Sequence, residues 1–245
     1  MSWQGIDRFS LGSVLSEVTD QVPVALSPPG VVAGLLDLRV LELLTARLCH
    51  ELIGPIAAIN NGVELLADEP VLATGGADPD FVHDAIALVG DSASRAASSL
   101  QFYRFAYGYG HGRSMVGSPP NELANRFFEK TRIVCDYGES IRVLPLDWQR
   151  LACNLLLTGA EALSRGGSLV LALAPDGLDL EAAGEFAKLS PETHAALSLA
   201  TPVDALTSRS VQAYFTGLLA ETLGCRLVRT EELRRLRLTA VVPVG

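Results

Sequence analysis

The run Leu35–Ala67, LLDLRVLELLTARLCHELIGPIAAINNGVELLA, decides the architecture of this chain. Leu41, Leu44, Leu48, Leu52, Ile56, Ile59, Val63 and Leu66 recur at steps of three and four, the spacing that lines one side of an α-helix. A second run follows a turn signalled by Pro70, Gly75, Gly76, Asp78 and Pro79. There Val82, Ile86, Val89, Ala93, Ala96, Leu100 and Tyr103 alternate steps of four and three, a heptad seam. Two long amphipathic helices with a modest connection make an antiparallel hairpin. A lone hairpin cannot cover both of its apolar faces, so a second copy completing a four-helix bundle is expected, and the partner is a homodimer mate.

Upstream, Leu11, Val14, Leu15 and Val18 give a weak helical spacing that runs into Pro23 and Ser27-Pro28-Pro29-Gly30, predicting an accessory helix on a tether. Downstream, Tyr107-Gly108-Tyr109-Gly110-His111-Gly112 predicts a hinge. It is not a phosphate-binding GxGxxG, because Arg113 stands where the last glycine belongs. Beyond it the pattern mixes helices near Pro120–Lys130, Asp147–Leu163 and Ser208–Leu223 with strand-like runs near Ile141–Leu144, Ser168–Ala172, Leu178–Ala182, Arg226–Arg229 and Leu236–Val242. The expected fold class is therefore α+β, with an extension and linker over 1–34, the hairpin over 35–110, and over 111–245 a layer of helices on one face of a mixed or antiparallel sheet.

Composition narrows the function classes. A net charge of −9 disfavours attraction to nucleic acid or to anionic membranes, both polyanions. Arg234, Arg235 and Arg237 form the one tight basic cluster, diluted by Glu231 and Glu232, and predict a solvated sheet edge. Four scattered cysteines, Cys49, Cys135, Cys153 and Cys225, without CxxC or nearby histidines, fit reduced thiols in a cytoplasmic protein. No segment stays apolar for the roughly 18 residues of a membrane span, and no basic region followed by an apolar core marks the N-terminus.

On the first helix, a residue two positions from Leu48 and from Leu52 lies about 200° from the stripe. His50 therefore points outward, on the same side as Arg47, Glu51, Gly54, Ala58 and Asn61. By position alone it also reads as an ordinary surface histidine. Gly54 and Pro55 add weight to a function, since they sit inside the helix, where proline costs roughly 3 kcal/mol and glycine about 1 more. Gly54 would clear space one turn beyond His50 for a partner's backbone or a phosphate. Pro55 would free the Glu51 carbonyl; a tolerated kink is the plainer account. His50-Glu51 begins like the zinc motif HExxH, but Gly54 occupies its fifth position. His83, His111 and His194 show no catalytic arrangement, and no GxSxG or P-loop is present.

The segments Ala46-Arg47-Leu48-Cys49-His50-Glu51-Leu52-Ile53-Gly54-Pro55 and Ala58-Ile59-Asn60-Asn61-Gly62-Val63-Glu64-Leu65-Leu66 resemble the phosphoacceptor helix of the ChpT family of histidine phosphotransferases. Leu100–Gly108 and Val211–Tyr214 resemble it more weakly, and the likeness extends over roughly 38–245. It implies a dimeric hairpin followed by a histidine-kinase ATPase-like α/β sandwich that has lost its nucleotide site. It also implies transfer of a phosphoryl group from the receiver domain of a CckA-like hybrid kinase to CtrA-like response regulators, with His50 as the acceptor and Glu51 as the group receiving its ring proton. Arg47, Gly54 and Asn61 fall on the face that would meet phosphate or partner, although Arg47 also reads as a solvated surface residue.

The loss of nucleotide binding can be checked in the sequence. Where a kinase N-box reads NLLxN, Asn154-Leu155-Leu156-Leu157 is followed by Thr158, so the magnesium ligand is missing. Ala183-Gly184-Glu185-Phe186 replaces a DxGxG, and Asp204-Ala205-Leu206-Thr207 replaces a glycine-rich lid. The chain is expected to bind no cofactor, with Mg2+ supplied by the receiver, and to lack autophosphorylation. Gly54, standing where many kinases carry a hydroxyl or amide residue that positions water, predicts weak phosphatase activity. A silent dimeric adaptor that docks receivers is the alternative.

Overall fold

The computed structural model describes residues 37–67, 79–108 and 118–243. The accessory helix, the inter-helix turn at Pro70–Asp78 and the Tyr109–Gly112 part of the hinge lie outside the described residues.

Helix α1 spans Leu38–Ala67 and α2 spans Pro79–Gly108. Asp37 starts α1: its carboxylate accepts from the Arg39 amide at 2.7 Å, satisfying a first-turn donor. The antiparallel pair approaches closely at Gly62, where a Cβ would sit 2.5 Å from Val89 Cγ2. Pro55 lies inside α1 without ending it.

The C-terminal half is a layer of helices on a five-stranded mixed sheet of order β1-β2-β3-β5-β4. Its elements are α3 (Pro120–Phe128), β1 (Ile133–Tyr137), α4 (Leu146–Glu161), β2 (Gly167–Ala174), β3 (Gly177–Ala183), α5 (Pro191–Leu197), α6 (Val211–Thr222), β4 (Arg226–Glu232) and β5 (Arg235–Val241). β1 runs parallel to β2, and the other pairs are antiparallel. Alternation makes the layers: Leu169 and Leu171, Leu178 and Leu180, and Leu236 and Leu238 are buried beneath the helices, while their neighbours face outward.

Two expected features change. The Ile141–Leu144 run is not a strand: Glu139–Val143 forms a 3₁₀ turn, which buries Ile141 and Leu144 three residues apart. The strand β1 just before it, and α5, were not legible in the sequence. The arginine cluster is not on a sheet edge, because β5 lies between β3 and β4. Arg237 instead pairs with Asp179 at 2.7 Å and Arg235 with Glu181 at 3.8 Å across the open face.

One core joins hairpin and layer. Val40, Leu43 and Leu44 of α1 and Phe102, Phe105 and Ala106 of α2 belong to the same cluster as Trp148, Leu151 and Leu155 of α4. Aromatic contacts extend it: Phe102 stacks on Phe127 of α3 at 4.6 Å, and Tyr107 meets Phe215 of α6 edge-on at 5.7 Å. Farther along the hairpin several apolar side chains are uncovered, with Ile53 64% and Ile86 57% exposed.

Candidate functional site

His50 is exposed, as the helical stripe requires, and so are Cys49, Glu51, Gly54 and Asn61. A Cβ built on Gly54 meets nothing within 4 Å, so the glycine opens the surface one turn from the imidazole. His50 and Glu51 are consecutive and leave the helix about 100° apart. Glu51 can reach the imidazole only by curling back along the surface.

Arg47 departs from its expected place. Its guanidinium turns toward the C-terminal layer, where Nη1 lies 2.8 Å from Glu161 Oε1 at the end of α4, with side chains only 16% and 18% exposed. Nη1 also donates at 3.4 Å to the Ser208 carbonyl just before α6. The reason is tertiary: on an ideal helix Arg47 lies about 60° to one side of His50, and that is the flank the second layer covers. Ala58, also placed on the outward face, is half-buried. The structure thus keeps Glu51, Gly54 and Asn61 on the open face with His50 and withdraws Arg47 from it.

Glu161 is an expensive residue in this setting. Burial pushes its carboxyl up to about 7, Arg47 pulls it back, and the nearby Glu51 charge adds to the rise. The pair is close but poorly aligned, and neither Glu161 oxygen accepts a well-directed hydrogen bond. Burial outweighs the misaligned partner, so the carboxyl stays above the ordinary carboxylate range. Burial likewise raises the Tyr103 and Tyr107 hydroxyls, which lie beside the same guanidinium.

Asn154 and Thr158 of α4 form a closed polar knot with α6. Asn154, Thr158, Gln212 and Thr216 are all fully buried. Asn154 Nδ2 donates to the Ala106 carbonyl at 2.7 Å and to Arg150 O at 2.8 Å, while its Oδ1 accepts from Gln212 Nε2 at 3.1 Å. Thr158 and Thr216 share a hydroxyl contact of 2.8 Å, and Tyr107 OH donates to Gln212 Oε1 at 2.7 Å. Ala106 sits in the last turn of α2, where carbonyls lack helical partners, so Asn154 supplies what the helix cannot. The side chain that begins a kinase N-box here ties the hairpin to the layer. Sequence reasoning missed Glu161, Gln212 and Thr216, since only the fold brings Glu161 and Gln212 to the hairpin and Thr216 to Asn154 and Thr158.

Among the described residues no helix is long and apolar enough to cross a membrane. Residues 120–232 match the family model described as the histidine phosphotransferase C-terminal domain. The chain is 34% identical over 204 residues to the protein phosphotransferase ChpT of Brucella abortus (strain 2308), covering 80% of this chain and 91% of that protein. A solved structure of a bacterial phosphotransferase superposes with a TM-score of 0.67 at 32% identity, covering 86% of this chain and 100% of that one. At that identity and coverage, the chain belongs to the ChpT family of protein phosphotransferases.

Proposed function

We propose that His50 is the relay point of a histidine-aspartate phosphorelay. The observation that carries this is the placement of an exposed imidazole beside the open step at Gly54 and Pro55, on a helix otherwise anchored to the second layer. A neutral imidazole attacks through Nε2 on the acyl phosphate of a receiver aspartate. The P–N bond forms as the P–O bond breaks, and the aspartate leaves as a carboxylate. The Nδ1 proton is taken up by Glu51 or solvent. The reverse sequence passes the phosphoryl group to a second receiver. Such transfer relies mainly on positioning and charge neutralisation, with the receiver's own Mg2+ and lysine supplying the cations.

The donor is the receiver of a CckA-like hybrid kinase, and the acceptors are CtrA-like regulators in the cytoplasm. The uncovered apolar residues of the hairpin, among them Ile53, Ile56, Val63 and Ile86, support a homodimeric four-helix bundle. The polar knot around Asn154 and Thr158 supports the absence of ATP binding and autophosphorylation. Incubating the protein with radiolabelled phospho-receivers tests the proposal. Acid-labile label on the wild type and none on His50→Ala is expected. Receivers that bind without labelling the wild type would instead make the protein a silent adaptor. Micromolar ATP binding by calorimetry would refute the loss of the nucleotide site.

A further inference from the structure

We propose that Glu161 is a positioning residue for phosphotransfer at His50: through Arg47, it holds the His50 turn of α1 against α4 and α6, so that a docking receiver meets hairpin and C-terminal layer as one preformed surface. This rests on His50 being the relay point. Arg47 lies one helical turn before His50, and its guanidinium touches both the end of α4, at Glu161, and the Ser208 carbonyl that leads into α6. The neighbouring helix α2 is tied separately, through Ala106 to Asn154 and Tyr107 to Gln212. The packing of Val40, Leu43 and Leu44 holds α1 to the core but gives little resistance to small rotations, because apolar contacts are not directional.

Rotation is what the relay cannot tolerate. A side-chain tip about 6 Å from the helix axis moves about 2 Å when the helix turns by about 20°. A misplacement of about 1 Å already costs on the order of 100-fold in a positioned reaction. An ion pair with an orphaned carboxylate oxygen is a poor stabiliser, and replacing such a pair by apolar side chains is often neutral or stabilising. Its distinctive contribution is a fixed direction between the two elements.

The test pairs two phosphodonors. One is a receiver domain charged with radiolabelled acetyl phosphate and chosen as the one that labels wild-type His50 fastest. The other is phosphoramidate, a small donor that needs no docking surface. The variants are Arg47→Met with Glu161→Met, and Glu161→Gln alone, which keeps an acceptor oxygen for Arg47. In the double variant, kcat/KM for the receiver should fall at least about 10-fold. Labelling by phosphoramidate should stay within about twofold, and the melting temperature within about 5 °C, of the wild type. Glu161→Gln should show a smaller loss of the same selective kind, and it decides the matter if the double variant does not fold. Unchanged receiver-driven transfer overturns the proposal, as does a parallel loss of receiver transfer, phosphoramidate labelling and melting temperature. Wild-type His50 that neither donor labels would instead overturn the relay assignment.

Discussion

Replacing Asn154 by alanine measures how firmly the buried polar knot fastens the two halves of the protein. The side chain is fully buried and makes contacts at 2.7, 2.8 and 3.1 Å. Arg150 O belongs to α4 and keeps its helical environment, so its loss counts little. The Ala106 carbonyl, in the last turn of α2, would be left buried without a partner, costing about 1–3 kcal/mol. Losing the Asn154–Gln212 bond costs about 1 kcal/mol more, while Gln212 keeps Tyr107 and Thr216. The total is about 3 kcal/mol before any cavity term. For a chain of this size that corresponds to a melting temperature lower by about 6–12 °C. Urea unfolding of Asn154→Ala, Gln212→Ala and the double variant would give a coupling of about 1 kcal/mol between the two sites. A loss below about 0.5 kcal/mol, with no coupling, would refute the reasoning, because it would mean that water already reaches the knot.

Three further outcomes follow from the geometry. His50→Ala should leave the urea midpoint within about 0.5 kcal/mol of wild type, since the ring is exposed, while abolishing phosphate acceptance. Gly54→Ala should raise stability by up to about 1 kcal/mol, because the position is helical and open, yet slow transfer from a receiver if the glycine admits the partner's backbone. Stability measured in urea at pH 5 and pH 8 should report on Glu161. Its carboxyl lies at about 7 in the folded protein against an ordinary 4.5, with Arg47, Glu51, Tyr103 and Tyr107 around it. The folded state therefore holds a proton that the unfolded chain releases. The contribution falls as pH rises from about 4.5 to 7 and is flat above, with a span on the order of 3 kcal/mol. A wild-type profile that parallels Glu161→Gln would refute that account.

Much of the open face was legible because helical periodicity is local. The stripe through Leu48 and Leu52 placed His50 outward whatever packed nearby, and Gly54 and Pro55 announced themselves by their cost inside a helix. The strand pattern also showed where alternation was clean, as at Leu178–Leu180 and Leu236–Leu238. It misled at Ile141–Leu144, where burial three residues apart belongs to a 3₁₀ turn and Gly138 passes its amide to Leu171 O at 2.8 Å. Strand β1 was hidden because its outward Val134 stays 73% exposed, blurring the alternation.

The sequence by itself determined the two long helices, the outward placement of His50 and the α+β class, all of which depend on neighbours a few positions apart. Only the tertiary structure decided that Arg47 leaves the open face for Glu161, and that Asn154 caps the end of α2. Those partners lie far apart in the chain, and a helical wheel cannot show which flank another layer covers. Charge and hydrogen-bond capacity are written in the residues, but their use is settled by what the fold carries within 3 Å.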